Sequence, residues 1–143
     1  MHDEIFSPTI RDQPAPGKPP WRPESILYPA FFGGPLAAAT LGVLNGRRLA
    51  LPTGHLLAIA GVGLAGIGAR LALSGFFDDN SAVRLAGSAT GVLVWLFVLF
   101  LQRRPFRIAV LRGATPARLI VPGLLAAIGC GLLEGSLILG LIR

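Results

Sequence analysis

Residues 26–45 read ILYPAFFGGPLAAATLGVLN. No charged side chain interrupts them, and at about 1.5 Å per residue they just cross a hydrocarbon core of ~30 Å. Pro29 and the triplet Gly33-Gly34-Pro35 break the pattern. Pro35 has no N–H, and its ring clashes with the preceding turn, so the spacing predicts a kink or break near Phe31 and Phe32. Two consequences stay open. Carbonyls freed at a break can coordinate ions, as in the broken helices of transporters. Alternatively, the glycines let neighbouring helices approach closely.

Downstream, the run stops at Asn45-Gly46-Arg47-Arg48, and Pro52-Thr53-Gly54 completes a loop. Three more apolar runs follow at 55–74, 85–101 and 119–142, separated by 75–84 and by a strongly basic segment at 102–118. Upstream, residues 1–25 are polar and proline-rich, which predicts an extended, disordered tail ending in an interfacial anchor at Trp21-Arg22-Pro23. The expected fold is all-α: a four-helix transmembrane bundle over 26–143 with that tail in front. Helices are the expected spanning element because backbone polar groups cannot be left open in lipid. The runs do not alternate as barrel strands would.

Composition agrees. Hydrophobic residues make up 52% of the 143 and charged residues 14%, with a mean hydropathy of +0.65. A soluble chain of this length could not hide so much apolar surface. The net charge of +6 does not point to nucleic acid, because the cations flank apolar runs rather than forming a basic face with stacking aromatics.

If all four runs cross, the connections 46–54 and 102–118 share a side. They hold Arg47, Arg48, Arg103, Arg104, Arg107, Arg112 and Arg118 and no acid. The positive-inside rule then makes these loops cytoplasmic and places both termini outside.

Two charges lie inside the runs, Arg70 and Glu134. Counted from the starts of their helices they fall at similar depth. An unpaired charge near the bilayer centre costs at least ~2.5–3.5 kcal/mol, so the two are expected either to pair structurally, or to form a substrate or proton site, or Arg70 snorkels to the interface. Small residues recur at Gly123, Ala127, Gly131 and Gly135, and at Gly61, Ala65 and Ala69. Such stripes allow close helix packing, within a chain or between chains.

No catalytic constellation is present. Cys130 and Glu134 stand one helical turn apart, but no histidine lies at that depth and a buried thiol is inert. Asp78-Asp79-Asn80 reads as a solvated turn capping the next helix, and His55 as an interfacial polar residue. The chain is therefore not expected to be an enzyme or to carry a metal or cofactor. Two functions remain: a small membrane accessory protein acting through helix packing in a homo- or hetero-oligomer, or an oligomeric pore or small-solute transporter using Arg70, Glu134 and the Gly33-Gly34-Pro35 break.

The stretch Ala30-Phe31-Phe32-Gly33-Gly34-Pro35-Leu36-Ala37-Ala38, followed by Asn45-Gly46-Arg47, resembles a family of small uncharacterised bacterial membrane proteins. They open with a proline-containing lead and a similar Phe-Gly-Pro-Leu-Ala run. The resemblance implies a bacterial cytoplasmic (inner) membrane location and no activity. It suggests that Gly33, Gly34, Pro35 and Asn45 do more than fill space.

Overall fold

In a computed structural model, residues 18–142 are described, and residues 1–17 of the expected tail at 1–25 lie outside them. The architecture is the expected all-α membrane bundle. Its four helices are α1 (Leu27–Arg48), α2 (Thr53–Ser74), α3 (Asn80–Leu111) and α4 (Ile120–Ile142), and a short 3-10 turn, Pro23–Ile26, leads into α1. Each of the four is long and apolar enough to cross a membrane.

α1 does not run straight. Gly34 has φ +76° and ψ −165°, outside the helical region, a conformation open to glycine at little cost. The chain reverses there. The Trp21 N–H donates to Asn45 Oδ1 at 2.7 Å, whereas a straight helix from residue 27 to 45 would hold its ends about 27 Å apart. Contacts with α3 trace the reversal step by step. The Pro23 carbonyl accepts from Trp95 Nε1, Phe31 meets Ser88, Gly34 meets Gly91, Gly42 meets Val98, and Asn45 meets Gln102. Residues 27–33 therefore run inward along α3, and residues 35–48 run back. The sequence predicts a break at this place; the structure makes it a hairpin tip. The return leg is about 20 Å long, some two-thirds of a ~30 Å core.

The hairpin is the centre of the molecule, and α2, α3 and α4 pack around it. Its inner surface is built from small residues, with Ala30, Gly33, Ala37, Ala38, Gly42 and Gly46 all buried. That lets backbones approach without large side chains. Ile59, Leu41, Val94 and Val98 fill the remaining space. α2 and α4 leave most of their surface outward, only 11% of their apolar windows being buried, as expected of lipid-facing helices.

The reversal changes which parts share a face. Trp21 and Pro20 lie with the α1–α2 and α3–α4 connections, since Ala117 N–H donates to Pro20 O at 2.9 Å. The other face carries the α2–α3 connection and the C-terminal end of α4. Among the described residues, 18–25 and the end of α4 therefore lie at opposite faces, because α1 enters and leaves on one face; the two ends of the chain, which were expected to share a side, lie outside the described residues. Residues 18–25 also depart from the expected tail. They form a strap across the near face: Arg48 Nη1 donates to Pro19 O, and the Arg48 guanidinium lies 3.8 Å from the Trp21 ring centroid.

A buried polar network fastens the strap. Asn45 Nδ2 donates to Trp21 O at 3.0 Å and to Gln102 Oε1 at 2.8 Å, and Gln102 Nε2 donates to Gly42 O at 2.5 Å. Asn45 and Gln102 are fully buried, and their amides are matched by these partners.

The third helix also departs from expectation. It continues through Pro105 to Leu111, so Arg103, Arg104 and Arg107 stand on helix rather than on a loop. Its 32 residues make about 48 Å, longer than the hydrocarbon core, so its last turns project beyond the near face. Hydropathy marks where a segment leaves the membrane; it does not mark where a helix stops.

Candidate functional site

The hairpin tip leaves backbone groups that its own helix cannot satisfy, and the surrounding helices answer them. Pro35 has no N–H for the Phe31 carbonyl four residues earlier, and Ser88 Oγ of α3 donates to that carbonyl at 2.9 Å. The Leu36 N–H, at the start of the return leg, donates to Glu134 Oε1 of α4 at 2.8 Å. Arg70 Nη1 of α2 donates to Glu134 Oε2. The carboxylate thus sits at the positive end of a half-helix and against a guanidinium, both of which favour its charge. All three outer helices meet at the tip.

The expected pairing of Arg70 with Glu134 is present, and snorkelling of Arg70 is not. Glu134 is 2% exposed, with each oxygen engaged. Each oxygen keeps a further lone pair, but the carboxylate is almost wholly enclosed by protein. Arg70 differs, its side chain being 13% exposed. Its Nε is buried without a hydrogen-bond partner, and a Cβ at Gly87 would fall 2.6 Å from its Cζ and 2.8 Å from Nη2. Gly87 is thus the floor on which the guanidinium lies.

Beyond the tip the hairpin ends while α2, α3 and α4 continue. α3 and α4 are not packed together there. A cleft of about 850 Å³ remains, floored by Phe31, Phe32 and Gly34 and walled by α3 and α4, with Arg70, Arg84, Asn80 and Ser88 supplying its polar groups. Ala127, Gly131 and Gly135 supply part of the apolar wall.

The predicted stripe on α4 divides. Gly123 packs on Tyr28 and Pro29, Ala127 touches the backbone at Gly33, and Gly131 lies near the Phe32 carbonyl. Gly135 has open space around it and lines the cleft. The α2 stripe does not pack inward. Gly61, Ala65 and Ala69 are exposed, and the contacts with α1 come from Ile59, Gly63 and Gly66. Asp79 stands at the N-cap of α3 without a side-chain capping bond.

Several site residues were not singled out from the sequence. Arg84 counts there as a loop charge. Ser88 and Gly87 have no signal, since serine and glycine are common in membrane helices. No family model, curated protein or solved structure matches the chain.

Proposed function

We propose that the protein is a bacterial inner-membrane solute-handling unit, a small carrier or pore subunit whose working part is the hairpin tip and the cleft above it. The observation that carries this reading is the chain reversal at membrane depth. Irregular backbone within a bilayer is tolerated only where it is buried in protein or lines a cavity, and this tip does both. A chain built only to fill lipid has no reason to break its central helix and then heal the break with Arg70, Ser88 and Glu134.

In this reading the near face is cytoplasmic. It carries Arg47, Arg48, Arg103, Arg104 and Arg107, and the strap adds Lys18 and Arg22 against Glu24. The cleft then opens toward the outer leaflet. Glu134 is the anchor of the tip and Arg70 the group that faces the solute.

The accessory-protein reading is the second one. It is favoured by the outward-facing Gly61, Ala65 and Ala69 of α2, which offer a surface for another copy or another membrane protein. The two readings are compatible, since one hairpin and three helices enclose little space alone.

Proteoliposomes test the function. With a membrane potential and a panel of small ions and organic solutes, the wild type is expected to show saturable flux. Gly135→Leu, which fills open space in the cleft, is expected to abolish that flux while the protein still inserts and unfolds at the wild-type temperature. Flux unchanged by Gly135→Leu, or no flux for any solute, ends the transport reading and leaves the packing one.

A further inference from the structure

The cleft has two chemistries, and their arrangement says what fits it. Arg84 and Asn80 belong to the first turns of α3, at the far face. Arg70 lies deeper, over Gly87, three residues further along α3 than Arg84. The pocket therefore has cationic donors from its mouth to its floor on the α3 and α2 side. Its carboxylate, Glu134, is withdrawn behind Arg70 and does not line the cleft. The opposite wall is apolar: Ile128, Leu132 and Leu139 of α4, with Phe31 and Phe32 at the base. Because α3 and α4 are not packed against each other here, the cleft opens sideways between them as well as toward the far face.

A freely soluble ion would gain nothing from the apolar wall or from a sideways opening into lipid. An amphiphile gains from both. We propose that the cleft binds an anionic amphiphile, a carboxylate or phosphate head on an apolar chain, which enters from the outer leaflet between α3 and α4. The head group accepts hydrogen bonds from Arg84 and from the Arg70 donors not given to Glu134, while the chain lies against Ile128, Leu132 and the Phe31–Phe32 pair. Charge-assisted bonds to guanidinium are the strong kind, and a cleft of about 850 Å³ is within the range of ordinary ligand sites, about 300–1,000 Å³. The unpartnered Nε of Arg70 is then a donor held in reserve, reached when the guanidinium tilts off Gly87. This deepens the solute-handling reading by naming the solute class.

The test is equilibrium binding to the purified protein in a neutral maltoside detergent. The probes are a radiolabelled 14-carbon fatty acid and a dialkyl phosphatidic acid, set against acetate and inorganic phosphate. The long-chain anions are expected to bind saturably and the short ones not. Arg84→Gln is expected to weaken binding about tenfold. Gly135→Leu is expected to remove it, and neither variant touches the Arg70–Glu134 anchor, so both are expected to fold. Equal binding of the short anions, no saturable binding of the long ones, or full retention by Arg84→Gln and Gly135→Leu overturns the proposal. Its failure is separable from that of the transport reading. Saturable binding of the long-chain anions without flux leaves the amphiphile site and removes the carrier; flux of another solute without such binding does the reverse.

Discussion

A carboxylate taken out of water needs full compensation, and Glu134 receives it from two directions at once, from the Leu36 N–H and from Arg70. Removing one partner is costlier than removing both, because it strands the other in the interior. Glu134→Ala is therefore expected to destabilise the protein by about 3–5 kcal/mol, measured by thermal or denaturant unfolding in micelles. The double replacement Arg70→Leu with Glu134→Leu is expected to recover most of that loss, leaving only the Leu36 N–H unmet. Purely additive single and double variants would show that the pair is not coupled. This pair was one of three outcomes that the sequence left open for two charges at matching depth in apolar runs. What Glu134 does beyond pairing was not legible, because its second bond goes to a backbone N–H exposed only by the break. Arg84 was obscured by its position near a loop, where a cation is unremarkable.

At the scale of the element, the sequence placed the interruption of α1 correctly and left its angle open. A Gly-Gly-Pro triplet serves a mild kink and a full reversal equally well; only the small residues on both legs, and what they pack against, decide between them. The structure gives Gly34 a left-handed φ, and a side chain there would sit 2.6 Å from Arg70 Nη1 and 2.7 Å from Glu134 Oε2. Gly34→Ala thus carries a conformational cost of about 1–3 kcal/mol and a collision with the anchor. It is expected to lower stability by about 2 kcal/mol or more, read from the unfolding midpoint. Gly68→Ala serves as the control. Gly68 is helical and has nothing within 4 Å of the added carbon, so that variant is expected to match or slightly exceed the wild type. Similar midpoints for the two would argue that Gly34 is an ordinary helical residue.

At the scale of the molecule, four apolar runs with charged connections gave the bundle and its membrane setting, because the length and hydropathy of a run need no tertiary information. Counting crossings did need it. Length and hydropathy show that a run can cross, and the face on which the strap lies depends on how the run folds. The fold-back returns the chain to its starting face, where Asn45, Gln102 and Trp21 lock it. Lys18 and Arg22 then join the arginines of the near face, and no polar segment between residues 18 and 25 has to cross the bilayer. The most direct test is sidedness. In a Cys130→Ser background, Pro19→Cys, Ala50→Cys and Asp78→Cys are placed one at a time and exposed to a membrane-impermeant maleimide in oriented vesicles. The fold-back predicts that positions 19 and 50 label from one side and 78 from the other; labelling of position 19 together with 78 would contradict it.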